Sequence, residues 1–332
     1  MSMLADDPLE SAARWQSQDR KVAFATVAKT WGSAPRPPGS QLAVREDGAF
    51  AGSVSGGCVE GVVIEQAQEA IADGKMRRLE FGVSDQQAWS VGLACGGRIE
   101  ILVEPAIERE TITALLHARR EGKPLVRAVD LATGGDRLLE PETDGSPLGT
   151  AAAAAARADQ SRIIELDDKS WFLTVYNPPL ELVIVGAVHI AQPLAKMAAL
   201  AGYRVRVIDP RSSFATKERF PDVELMPHWP DEALAGRPLG RRSALVALTH
   251  DPKIDDPALT AALASPAFYV GALGSKKTHT TRLDRLAAQG VAAEALVRIH
   301  GPVGLAIGSK TPQEIAISIL ADMTKVLRQP QL

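Results

Sequence analysis

Leu180-Glu181-Leu182-Val183-Ile184-Val185-Gly186-Ala187-Val188-His189-Ile190-Ala191 is the stretch on which the reading of this chain turns. A mostly apolar run ends at a glycine, as a buried strand does when it enters a tight turn. Helical spacing follows over 189–201 and stops at Gly202, and a second strand, 203–208, ends at Asp209. Strand, glycine turn, helix and strand in this order make a βαβ unit of the dinucleotide-binding kind. Asp209 stands 23 positions after Gly186, where an acidic residue would meet a ribose hydroxyl. The glycine fingerprint itself is incomplete. Val188 occupies the second glycine position, where pyrophosphate would approach the backbone, and a β-branched residue resists positive φ. The fold follows from the order of elements; NAD(P) binding does not.

Downstream the alternation continues. Strands are expected at 223–226, 244–248 and 268–273, with helices at 230–235, 256–264, 276–288 and 312–327. In an open parallel sheet, ligands collect beyond the carboxyl ends of the strands. Gly186, His189, Asp209, His250, Gly274, Ser275 and Lys276 are the candidate contacts there. Gly274-Ser275-Lys276 at a helix start suits an anion but lacks the spacing of a phosphate-binding P-loop. Thr311, Pro312 and Glu314 form a capping box with proline at the first helical position.

Upstream, Asn177-Pro178-Pro179 marks a boundary, giving domains 1–176 and 177–332. The first domain reads as α+β. A helix is expected at 8–19, strands at 22–29, 41–45, 49–54, 76–81 and 99–104, and helices at 59–73 and 107–121. Short strands at 124–130, 161–165 and 171–175 flank an alanine-rich stretch, 149–160, read as a loose surface segment. Thr30 to Ser40 carries Pro35, Pro37 and Pro38 and reads as a stiff loop that could present Arg36 to an anion, or as an ordinary proline-rich turn.

Both cysteines of the chain touch a Gly-Gly pair: Ser55-Gly56-Gly57-Cys58-Val59-Glu60 and Cys95-Gly96-Gly97. Cys58 falls near a helix start, where the dipole and free N–H groups would favour a thiolate. Glu60 is an acid/base group, an anchoring carboxylate, or a favourable first-turn charge. Two small buried thiols beside tight turns is the alternative reading of the cysteines.

Composition narrows the class. A chain of 332 residues with 45% hydrophobic and 23% charged residues is globular and long enough for two domains. A net charge of -3 without basic clusters gives no sign of nucleic-acid binding. Two cysteines cannot make a secreted disulfide framework, the acidic start lacks a signal-peptide pattern, and no apolar run spans a membrane. A cytoplasmic setting is the expectation.

With these motifs in order, the chain resembles the XdhC/CoxI family of accessory proteins for molybdenum hydroxylases. Gly32-Ser33-Ala34-Pro35-Arg36-Pro37, Gly52 to Glu60 and Cys95-Gly96-Gly97 carry the resemblance in the first half. Asp209-Pro210-Arg211, Thr249-His250-Asp251, Gly271 to Lys276, and Gly301 to Leu305 through Thr311-Pro312 carry it in the second. The resemblance implies an N-terminal α+β domain followed by a Rossmann-like, doubly wound parallel sheet. It implies binding of molybdenum cofactor (molybdopterin), help with its sulfuration, and insertion into a xanthine- or CO-dehydrogenase-type apoenzyme. A homodimer and a cysteine desulfurase partner are further expectations. Cys58 and Cys95 would converge on the cofactor as soft ligands. An NAD(P)-dependent oxidoreductase and a zinc or thiol-redox protein are the competing readings.

Overall fold

The computed structural model describes residues 7–32, 34, 36–82 and 97–329. The chain forms two compact units, Met1–Pro178 and Pro179–Leu332.

The N-terminal unit holds two antiparallel sheets. Helix α1 (Pro8–Gln16) starts at an Asp7 cap and precedes β1 (Val22–Trp31), β2 (Gln41–Arg45) and β3 (Phe50–Gly52). Helix α2 (Glu60–Asp73) ends at Gly74 in the left-handed conformation, then β4 (Arg77–Phe81) and β5 (Arg98–Glu104) complete a sheet of order β3-β2-β1-β5-β4. β1 is buried continuously from Val22 to Ala28 because both of its faces are covered. Ala23, Ala25 and Val27 meet the residues of α2, while Val22 and Phe24 meet those of α1 and of α3 (Arg109–Glu121). The strand reaches Trp31, two residues into the stretch expected to be loop.

The second sheet, β7-β6-β9-β8, contains β6 (Leu125–Asp130), β7 (Asp136–Leu139), β8 (Arg162–Leu166) and β9 (Lys169–Tyr176). The alanine-rich stretch is not a loose segment. It is helix α4 (Pro147–Ala158), capped by the Ser146 hydroxyl on the Gly149 N–H, with Leu148, Ala152 and Ala155 buried against this sheet. Alanine is the strongest helix former, but a run of alanines shows no apolar–polar contrast from which a face can be read.

The C-terminal unit carries a six-stranded parallel sheet. Its strands are β10 (Glu181–Val185), β11 (Arg204–Ile208), β12 (Glu224–Met226), β13 (Ser243–Ala247), β14 (Tyr269–Ala272) and β15 (Ile299–His300), in the order β12-β11-β10-β13-β14-β15. Chain order therefore reverses between β10 and β13, which makes the gap between their carboxyl ends the switch point of a doubly wound sheet. Leu182 and Ile184 face one core with α5 (Ala191–Leu200) and α10 (Pro312–Arg328). Val183 and Val185 face the other with α6 (Pro230–Gly236), α7 (Pro252–Leu263) and α8 (Lys276–Ala288). A short α9 (Ala293–Leu296) precedes β15. Burial on both faces explains the apolar runs Leu182–Val185 and Ala244–Ala247, whereas β11 carries Arg206, fully buried and paired with Glu181 at 3.0 Å. Helix α7 begins at Pro252 on an Asp251 cap, four residues before its expected start, and keeps Pro257 inside. The capping box at Thr311 and Glu314 forms as the spacing predicts. No helix among the described residues is long and apolar enough to cross a membrane.

Candidate functional site

The antiparallel register of the first sheet gathers the sequence motifs at one end. Trp31 pairs with Arg98, Leu42 with Gly52, and Phe81 with Ile99. The loop after β1, which bears Arg36, the loop after β3, which bears Cys58, and the chain entering β5 from Gly97 therefore all leave the same edge. The Ser53 N–H donates to the Gln41 carbonyl at 2.9 Å, tying the start of the Cys58 loop to the end of the Arg36 loop. Arg36 is exposed, and Gly97 is buried. Cys95 and Gly96, and with them the expected convergence of the two cysteines, lie outside the described residues.

The loop from Ser53 to Val59 is built around one carboxylate. Glu60, in the first turn of α2 and 8% exposed, accepts from the N–H groups of Val54 (3.2 Å), Ser55 (2.9 Å), Gly56 (3.0 Å) and Gly57 (2.8 Å). It also accepts from the hydroxyls of Ser53 (2.7 Å) and Ser55. The Ser55 hydroxyl in turn accepts from the N–H groups of Cys58 and Val59, each at 3.0 Å. Burial opposes the charge on Glu60, but the hydrogen bonds from Ser55, Ser53 and the backbone outweigh it and hold this carboxyl at about 2. A group pinned so low, with its lone pairs engaged, is no general acid or base near neutral pH. Glu60 is the anchor of the loop.

This bracing shapes the residues around it. The N–H groups of residues 54–59 are spent inside the loop, so the free donors expected to favour a Cys58 thiolate are not free. Gly56 and Gly57 take φ of 78° and 113°, the left-handed region, and a Cβ at either would meet nothing within 4 Å. These glycines are required by backbone conformation and leave an open surface beside the exposed Cys58 thiol. Val54 and Val59, which flank the loop, join Ile99 in one core cluster, so the loop is held from below as well as by its carboxylate.

At the carboxyl ends of the parallel strands the same device recurs. Asp209, fully buried, accepts from the Ala187 N–H (2.7 Å) and from Arg211 through its N–H (3.0 Å), Nε (2.8 Å) and Nη2 (2.7 Å). Burial disfavours its charge, but the bonds from Arg211 and Ala187 prevail and shift the carboxyl down. Its oxygens, expected to meet a ribose, thus brace the glycine turn internally. Gly186 has φ 103°, and a Cβ there would lie 2.4 Å from Thr249 Cγ2, so the switch point is closed at its floor. His189 and His250 are exposed; Ser275 caps α8 by accepting from the Thr278 N–H, and Lys276 is exposed. Asp255, buried on α7, accepts from the N–H groups of Thr249 (3.3 Å) and His250 (3.0 Å) and from the Thr249 hydroxyl (2.7 Å).

Comparison with known proteins places both units. The profile of the XdhC and CoxI family matches residues 15–82, and that of the XdhC Rossmann domain matches residues 182–323. The chain belongs to the XdhC and CoxI family. It is 29% identical, over 91% of its length and 82% of the relative's, to the molybdenum cofactor insertion chaperone PaoD of Escherichia coli (strain K12). It is 26% identical to a probable xanthine dehydrogenase component of Bacillus subtilis (strain 168), over 95% of each chain. The crystal structure of a xanthine dehydrogenase from Bacillus halodurans superposes with a TM-score of 0.76 at 26% identity, over 98% of this chain and 96% of that one.

Within this XdhC/CoxI chain, the residues that sequence reasoning missed are the ones that build turns. Ser53, Arg211 and Asp255 were absent from the candidate set. The signal for the first was its place in Ser53-x-Ser55-Gly56-Gly57-x-x-Glu60, where two hydroxyls and a carboxylate surround a glycine pair. For Arg211 it was the spacing of two from Asp209, which lets a guanidinium fold back on a carboxylate.

Proposed function

We propose that this protein binds molybdenum cofactor as cargo, holds it while it is sulfurated, and inserts it into a xanthine- or CO-dehydrogenase-type apoenzyme. The observation that carries the reading is the exposed Cys58 thiol on a loop braced by Glu60, in a chain similar along most of its length to a molybdenum cofactor insertion chaperone. The chemistry of the donor set fits such a cargo. Cys58 is a soft ligand suited to molybdenum. The open faces of Gly56 and Gly57 admit a flat pterin. The loop offers no spare N–H among residues 54–59 for a phosphate, so the exposed Arg36 guanidinium at the same sheet edge is the phosphate partner in this reading. Gly97 enters from that edge too, and Cys95 and Gly96 complete the proposed set.

In this reading the protein works in the cytoplasm as a homodimer and meets two partners: a cysteine desulfurase that supplies sulfur, and the apoenzyme. The family resemblance supports these roles. The test is transfer. Cofactor-loaded protein should restore activity to a cofactor-free hydroxylase of this type, and the Cys58→Ala, Cys95→Ala double variant should not. Equal restoration by the double variant would overturn the role of the cysteines. No restoration by the wild-type protein would overturn the function.

A further inference from the structure

The turn from β14 into α8 carries features that neither the cargo assignment nor the sheet itself requires. Arg282, on the second turn of α8, is 2% exposed. Its Nη2 donates to the Leu273 carbonyl at 2.8 Å, while its Nε and Nη1 are buried with no hydrogen-bond partner. Asp255 stands 4.0 Å away and is already engaged by Thr249 and His250. A buried guanidinium with two orphaned nitrogens is under-compensated, and burial pulls its pKa down accordingly. Arg282 lies directly under the turn: a Cβ on Gly274 would sit 3.7 Å from its Nη2.

The helix start above it is basic where a helix prefers acid. Lys276 and Lys277 occupy the first turn, with no acidic residue in that turn, against the sense of the macrodipole. Both lysines are exposed. Gly274 takes φ 150° beside the Ser275 cap, and the Thr278 side chain lies 3.2 Å from where its Cβ would stand. His279 on the next turn has a buried Nδ1 without a partner and is driven toward its neutral form by burial and by Arg282. Two exposed lysines thus stand at a helix N-terminus whose turn has one buried arginine beneath it. Of the two acidic residues of α7 on this side, Asp255 is engaged as described and Asp256 is held by Arg285 at 2.9 Å.

We infer that the Gly274–Lys277 turn, backed by the orphaned Arg282, is a phosphate-binding site of the C-terminal unit. A phosphate seated on the N-terminus of α8 would take the N–H groups and the ammoniums of Lys276 and Lys277, since the Thr278 N–H is held by Ser275, and would add negative charge beside Arg282, whose nearest carboxylate, Asp255, is shared with Thr249 and His250. The site lies at the carboxyl end of β14, two strands away from the Gly186 turn, where Val188 stands in place of the second glycine and Asp209 is engaged by Ala187 and Arg211. The shared chemistry is a phosphate group, borne either by a nucleotide or by the pterin.

Calorimetric titration of cofactor-free protein with inorganic phosphate tests this. Saturable binding is expected, weakened roughly tenfold or more in Lys276→Ala, Lys277→Ala, a change confined to exposed side chains. Arg282→Met should abolish it. Because that variant leaves Asp255 unpaired and can fail to fold, the lysine variant decides on its own. No saturable binding to the wild-type protein, or unchanged affinity in the lysine variant, would overturn the inference. Displacement of phosphate by ADP assigns the site to a nucleotide, displacement by free molybdopterin assigns it to the pterin, and displacement by neither overturns the ligand class. Phosphate binding without any pterin in the purified protein would sink the cargo reading alone.

Discussion

The loop before α2 and the turn before α5 solve one problem in two ways. Each leaves a strand through glycine at positive φ, each enters a helix, and each has a buried carboxylate collecting backbone N–H groups. In the first, the carboxylate is local: Glu60 sits on the helix that the loop enters and accepts from four successive N–H groups. In the second it comes from the neighbouring strand, and Asp209 divides itself between Ala187 and Arg211. The first arrangement leaves a thiol standing in solvent beside two bare glycines. The second closes on itself, with Thr249 against Gly186. A glycine turn beside a carboxylate is thus a self-braced turn in both units, and what remains for a ligand is whatever side chain the bracing leaves outside.

The largest effect should come from removing the local brace. Glu60→Ala orphans the N–H groups of Val54, Ser55 and Gly57, leaves Gly56 with the Ser53 hydroxyl alone, removes the acceptor of two hydroxyls, and should destabilise the N-terminal unit by about 3 kcal/mol. Urea unfolding followed by tryptophan fluorescence would read this. The same residue sets a pH window. Its carboxyl lies at about 2 in the folded protein against an ordinary 4.5, so its stabilisation is complete above about pH 4.5 and is lost as pH falls toward 2. Stability of Glu60→Ala should be flatter across that interval; an unchanged slope would remove Glu60 from its central place.

Gly186→Ala comes next, at about 2 kcal/mol, since the new methyl meets Thr249 Cγ2 and the φ is strained as well. Pairing it with Thr249→Ser removes the clashing atom while keeping the hydroxyl on Asp255, and should recover part of the loss in a thermal melt. Gly57→Ala isolates the backbone term, because nothing lies near its Cβ position; about 1 kcal/mol is expected. Equal costs at Gly186 and Gly57 would erase the distinction between a closed turn and an open one. Smallest of all is Cys58→Ala, an exposed change worth less than about 0.5 kcal/mol in the same melt.

Much of the fold was legible because its signals are periodic. The apolar runs of β10 and β13, the glycine stops and the Thr311 capping box are all written in local spacing, and the doubly wound order follows from the alternation of strands and helices. Helix α4 was illegible because its alanines carry no contrast, and β7 and β15, at four and two residues, are too short to show a period. The site was legible as motifs but not as roles. The sequence places Glu60 near Cys58 and Asp209 after β11, yet cannot say whether a carboxylate faces a ligand or folds back on its own turn. That depends on φ at Gly56, Gly57 and Gly186 and on donors such as Ser53 and Arg211. Arg282 was invisible for a similar reason: one basic residue in a basic helix does not announce that it is buried.

In the proposed function, Cys58 is the group that the Glu60 brace presents. The most direct measurement is the pterin and molybdenum content of Cys58→Ala purified beside wild type from a cofactor-producing host. The expected result is an unchanged melting temperature together with loss of bound pterin and molybdenum. Full retention of both by a folded Cys58→Ala would contradict that role.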